Sequence, residues 1–155
     1  MLIAAQLMRL FFDTNVYIVG AADRQSDEGL ILDWVGFWQK TSSDVEVIIS
    51  EELLEQISRV AKRLLNKDWA GELIGRIWQN LNVHYVFLDD QAFAVLEEQA
   101  IIPREDIGVY LTAQAGQAQC FVSANHGLIR SLVQDTQEFT CLKPAEFVKE
   151  YIEKS

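Results

Sequence analysis

The stretch Arg9-Leu-Phe-Phe-Asp13 decides the class of this chain. A run of large apolar residues closed by an acid reads as a buried strand that ends at a polar edge. Val45-Glu-Val-Ile-Ile-Ser50, Val83 to Leu88, Gln119-Cys-Phe-Val-Ser123 and Phe139-Thr-Cys-Leu142 repeat the pattern outward from it. Amphipathic stretches separate these runs. Residues 27–39 predict a helix with Leu30, Ile31, Trp34, Phe37 and Trp38 at helical spacing. Ser50 caps a long helix through Leu65, whose stripe includes Leu53, Ile57, Ala61 and Leu64. Another helix carries Trp69, Leu73, Ile74 and Trp78, and a short one lies near Phe93 to Leu96. Pro103 suits the first turn of a helix to about Ala115, a short helix follows Gly127, and Pro144 opens a C-terminal one. Strands alternating with helices imply right-handed crossovers and a parallel sheet covered on both faces. The expected class is α/β, a three-layer sandwich with a central parallel sheet flanked by helices.

Composition narrows the function. The 155 residues carry 13 Lys+Arg and 23 Asp+Glu, a formal net charge of −10. That length suits one domain, 1–155, with a sizeable core. Half the residues are hydrophobic, which excludes a disordered chain. No apolar run approaches the ~20 residues that span a bilayer, so no membrane partner is expected. The opening Met1 to Met8 lacks a basic region and a continuous apolar one, which leaves a cytoplasmic reading. Cys120 and Cys141 lie in separate β-like runs and read as reduced core thiols. The acidic balance argues against a broad electrostatic grip on nucleic acid.

In an open parallel sheet, ligands collect beyond the carboxyl ends of the strands, so the polar residues after each run carry the information. Asp13, Thr14 and Asn15 follow the first strand, Glu51 and Glu52 the second, and Ser123, Asn125 and His126 the run at 119–123. Asp106 stands in the first turn of the preceding helix, where the helix N-terminus alone favours a carboxylate.

The order of these features resembles that of the PIN-domain nucleases. Leu10-Phe-Phe-Asp-Thr-Asn-Val-Tyr-Ile18 is similar to that family's opening strand and acidic turn. Val47-Ile-Ile-Ser-Glu-Glu-Leu-Leu-Glu-Gln-Ile57 resembles its second strand and acidic helix. Asp106 to Gly116, then Cys120 to Ile129, resemble its closing pair of motifs, and residues 1–8 then read as an N-terminal extension. The resemblance implies a metal-dependent endoribonuclease, with carboxylates gathered at the strand ends around Mg²⁺ or Mn²⁺. Such ions prefer oxygen ligands and are often held by one or two carboxylates plus substrate phosphate.

Residue by residue, Asp13 matches the family's first acid and Asp106 the acid of the late helix. The helix acid falls on Gln56 and the last acid on Asn125, so two of the four positions carry amides. The implied catalytic residues are Asp13, Asp106 and Asn125, with Asp13 and Asp106 as metal ligands. Asn15, Glu52, Gln56 and Ser123 support the pocket. Glu52 is a better stand-in for Gln56 than Glu55, which lies about 160° from the centre of the apolar stripe. With two charges fewer, the metal is weakly held and completed by substrate phosphate.

Arg59, Lys62, Arg63 and Lys67 recur at helical spacing on one polar face. They read either as a phosphate track for RNA or as a solvated helix face. His126 reads either as an acid or phosphate contact or, more commonly for a turn histidine, as simply exposed, and His84 reads as structural. No paired histidine spacing supports zinc, and no supported triad or phosphate-binding glycine loop is present. The aromatics of 27–39, with Trp69 and Trp78, predict a homodimer formed through helices. Three functional readings remain open. One is a PIN-type endoribonuclease, and a second is the same enzyme as toxin of a toxin–antitoxin pair with an antitoxin-like protein partner. The third is a catalytically impaired RNA-binding or protein-interaction module.

Overall fold

A computed structural model of the chain describes residues 7–41, 44–125 and 127–153. Its elements run β1 Met8–Phe12, α1 Thr14–Ala22, α2 Asp27–Val35, β2 Val45–Ser50, α3 Glu51–Leu64, α4 Lys67–Asn80 and β3 Val83–Val86. There follow α5 Asp90–Gln99, α6 Arg104–Ala115, β4 Cys120–Val122, α7 Gly127–Thr136, β5 Thr140–Leu142 and α8 Pro144–Phe147. A π-helical turn, Val148–Ile152, extends α8.

The strands form one parallel sheet in the order β3-β2-β1-β4-β5. This is the expected sandwich. β1 sits at the centre because Leu10, Phe11 and Phe12 are all fully buried, so helices must cover both of its faces. Phe11 stacks on Phe121 of β4 at 5.0 Å between centroids, while Phe12 meets Phe147 of α8 edge-on at 6.3 Å. Strand order reverses direction between β1 and β4, and a crevice beyond their carboxyl ends is the natural ligand position.

Three elements differ from the sequence reading. α1 begins directly at Thr14, where only a turn was expected. Val16, Tyr17 and Ile18 are buried, and the exposed face carries Val19 and Ala22 beside Asn15, so little polar contrast signals a helix. The predicted 27–39 helix stops at Val35. Gly36 adopts φ 92° and the Phe37 N–H returns to the Leu32 carbonyl at 2.9 Å, a Schellman-type end that turns Phe37 into the core. Lys67 does not continue the helix of Arg59, Lys62 and Arg63. Asn66 caps a new helix through the Trp69 N–H at 2.7 Å, and Lys67 opens α4.

The aromatics of 27–38 mostly serve the molecule's own core. Trp34 meets Phe147 edge-on at 5.6 Å, Phe37 is buried, and Arg24 lies over the Trp38 ring. Cys120 and Cys141 are free thiols. Among the described residues no helix is long and apolar enough to cross a membrane.

Candidate functional site

Asp13 leaves the end of β1 and caps α1, its Oδ1 accepting the Thr14 N–H at 2.7 Å. Its own N–H donates to the Val122 carbonyl at 3.0 Å, which ties the turn to the end of β4. Its Oδ2 accepts from the Ser123 hydroxyl at 2.9 Å, and Ser123 Oγ in turn accepts the Asn125 N–H at 3.1 Å. The Asp13 side of the site is thus held in one orientation by groups from both central strands. Asp13 and Ser123 are buried, while Asn15 and Asn125 are exposed beside them.

Gln56 joins from α3. Its Oε1 accepts from the Thr14 hydroxyl at 2.5 Å, so the amide is anchored by its oxygen and its NH₂ is the remaining donor end. Glu52, one turn earlier, is exposed, as is Glu55.

α6 reaches the same sheet edge by lying antiparallel across β2. A Cβ at Gly116 would fall 2.5 Å from Ile48 Cγ2, so glycine permits that approach. One turn on, Thr112 Oγ1 lies 2.7 Å from Ser50 Oγ and donates to or accepts from it, both hydroxyls being buried. A further turn on, Gly108 faces Glu52, whose Cβ stands 3.6 Å from where a side chain there would begin. The first turn of α6, with Asp106 and Glu105, therefore projects to the carboxyl edge beside the start of α3. Asp106 is partly buried, and its N–H donates to the Pro103 carbonyl at 2.9 Å.

The polar residues after β1, β2 and β4, and the head of α6, consequently share one edge of the sheet. Arg59, Lys62 and Arg63 are exposed farther along α3, and Lys67 is exposed at the head of α4. His126 lies outside the described residues. His84 sits away from this edge, its Nδ1 3.8 Å from Glu46. Two cations were not singled out from the sequence. Arg130 and Lys143 line a cavity of about 120 Å³ with Ser123 and Asn125, adjoining Asp13 through Ser123. A wider cavity of about 900 Å³ opens at the amino ends of β4 and β5 among Gln117, Gln119, Gln134 and Gln137; no predicted site residue lines it.

Solved structures of similar fold include two from toxin–antitoxin assemblies. One is VapBC2 from Rickettsia felis bound to a DNA fragment from its promoter, with a TM-score of 0.56 and 12% identity over 88% of this chain and 98% of that one. The other is VapBC-1 from nontypeable Haemophilus influenzae, with a TM-score of 0.57 and 14% identity over 89% of this chain and 99% of that one. The chain has a PIN-type fold. No protein-family model matches the sequence, and no curated protein matches it.

Within this PIN-type fold, the donors at the carboxyl edge are hard oxygens. The donors expected from the sequence are the carboxylates of Asp13 and Asp106 and the amide of Asn125, and Glu51, Glu52 and Glu105 stand at the same edge. Among the described residues no group of three or more His, Cys, Asp or Glu is clustered to hold an ion. That donor set fits a Mg²⁺- or Mn²⁺-type ion held by few protein ligands and completed by phosphate, not a cage formed by the protein alone.

Proposed function

We propose that this PIN-type fold is a divalent-metal-dependent endoribonuclease whose active centre is the Asp13 pocket. The observation that carries the reading is the hydrogen-bonded path from Gln56 through Thr14 to Asp13 and on to Ser123 and Asn125. It links the residues aligned with three family positions across three separate elements. Asp13 and Asp106 would hold the ion, and Asn125 would serve as a neutral ligand or position a water. When bound, such an ion polarises a phosphoryl oxygen and lowers the pKa of an attacking water. Thr14 and Ser123 fix the Asp13 carboxylate, so its orientation is set before any ligand arrives. Arg59, Lys62, Arg63 and Lys67 supply phosphate contacts for RNA.

The VapBC assemblies of both neighbours support the toxin half of a toxin–antitoxin pair, with an antitoxin-like protein as partner. A homodimer belongs to the same reading. With the 27–38 aromatics turned inward, Leu64 and Leu65 at the end of α3 are exposed apolar residues left to form it. The non-catalytic alternative draws on the amides at Gln56 and Asn125.

Manganese titration and RNA cleavage test the proposal together. Unchanged protein should cut RNA in Mn²⁺, and Asp13→Asn should lose that activity by ~100-fold or more. Gln56→Glu with Asn125→Asp should raise Mn²⁺ affinity at least ~tenfold, each change restoring a charged oxygen ligand. Metal affinity unchanged by the double substitution would remove the metal-site reading. Metal binding without cleavage in either form would select the non-catalytic module.

A further inference from the structure

β3 is an outer strand of the sheet and pairs with β2 alone. The Asn82 carbonyl accepts the Val47 N–H at 2.8 Å, which fixes the alternation along it. Asn82, His84 and Val86 turn their backbone groups toward β2, so Val83, Tyr85 and Phe87 turn theirs outward. An outward row of N–H and C=O groups is a template for another strand.

The side chains along that row are aromatic. Trp78 of α4 stacks on Tyr85 at 5.7 Å between centroids, and Tyr85 meets Phe87 edge-on at 5.1 Å. Phe87 is 86% exposed and Trp78 49%. Carboxylates surround the group. Burial and then the field of Glu51, Glu52 and Glu55 raise the Tyr85 phenol above its ordinary value. Asp89 and Asp90 follow Phe87 closely, and all five acids are exposed.

These features together select the occupant. A second copy pairing through β3 would set the same acids against themselves, and RNA would bring phosphates to them. A basic extended chain answers the open backbone, the aromatics and the acids at once. Arginine is apt here because its guanidinium both pairs with carboxylates and stacks on aromatic faces.

We propose that the outer edge of β3 docks an extended segment of a partner polypeptide in which basic and apolar residues alternate, added as a further strand. Its basic side chains lie on the Trp78–Tyr85–Phe87 face, where they stack on the rings and meet the acids, and its backbone pairs with Val83, Tyr85 and Phe87. The inference uses neither Asp13 nor Asp106 and stands apart from the nuclease reading.

The test titrates a synthetic peptide of alternating Arg and Val, blocked at both ends, into the isotope-labelled full chain. Saturable amide shifts should appear at Val83, Tyr85 and Phe87, with slowed exchange there. Methylating one alternate set of peptide amides should weaken binding at least ~tenfold, while methylating the other set should not, because only one set faces the strand. Phe87→Ser, at an exposed position that leaves folding unchanged, should weaken binding by a similar factor. Glu51→Gln with Glu55→Gln should weaken it several-fold and flatten its salt dependence. No saturable binding, or equal binding by both methylated peptides, would overturn the proposal. So would tighter binding of an oligouridine at the same amides, or shifts at β3 that track self-association instead of peptide.

Discussion

The two edges of the sheet are finished differently. On β5, the Thr140 N–H donates to Gln119 and the Leu142 carbonyl accepts from Ser123, so Cys141 turns its backbone outward. That outward carbonyl accepts from the Arg130 guanidinium at 2.9 Å, and Glu146 holds the same guanidinium at 3.2 Å. The aromatic before β5 is also packed, with Phe139 stacked on Phe121 at 5.5 Å and only 7% exposed. On β3, the aromatic after the strand is 86% exposed, and the acids Glu51, Glu52 and Glu55 act on its neighbour Tyr85. The chain supplies its own cap at one edge, and the other is shaped to receive one. A sheet edge that carries aromatic side chains and no internal cap is a liability unless something covers it.

The largest expected effect sharpens that contrast directly. Phe139→Ala should destabilise the fold by about 3–5 kcal/mol, since a stacked, buried ring leaves a cavity behind. Phe87→Ala should stay within about 0.5 kcal/mol, because water already surrounds the ring. Urea unfolding of both variants measures the pair. Similar costs at the two positions would mean that the β3 aromatics are packed in solution, and the difference between edges would collapse.

A smaller effect tests the β5 cap. Arg130→Ala should cost about 1 kcal/mol, at the low end for a charged hydrogen bond because both partners are half exposed. Amide exchange in β5 should rise with it. Arg130→Lys should recover only part of the loss, since a single ammonium lacks the fork that serves the Cys141 carbonyl and Glu146 together. Full recovery by lysine would reduce the tie to charge alone.

How far the sequence foretold this molecule depends on whether each signal was local. The strands were readable because Leu10-Phe-Phe and Val47-Ile-Ile are apolar runs bounded by polar turns, and parallel pairing followed from the helices between them. α1 was not, because its exposed stripe, Asn15, Val19 and Ala22, is mostly apolar and gives little contrast with the buried side. The end of α2 was passed over because apolar spacing ran on through Phe37, although Gly36 was the available stop signal. In the site, Asp13 and Ser123 could be placed from their positions after strands and Gln56 from the family resemblance, but the Thr14 hydroxyl that joins Gln56 to them depends on α1 meeting α3. Arg130 was beyond reach of pattern reading. A basic residue in a helix does not announce that its acceptor is a strand carbonyl eleven residues later.

The smallest expected effect is a pH dependence at the β5 edge. The Glu146 carboxyl is held below its ordinary value of 4.5, first by the Lys143 N–H and then by Arg130. A carboxyl lowered in the folded chain binds fewer protons than it does when unfolded, so the folded form gains where the charge is present. That gain is full above about 4.5 and is lost as pH falls through the lowered folded value. Glu146→Gln keeps an oxygen for both donors and removes the charge. The unchanged protein should therefore be slightly more stable than Glu146→Gln at neutral pH, with the advantage shrinking below pH 4.5 and vanishing in stronger acid. Unfolding curves of the two proteins across that range make the comparison. An advantage that persists undiminished at low pH would assign the cap to hydrogen-bond geometry and take the charge out of the account of this edge. Vanishing on schedule would leave β5 closed by a guanidinium–carboxylate pair, the same chemistry that a basic partner strand would bring to the acids beside β3.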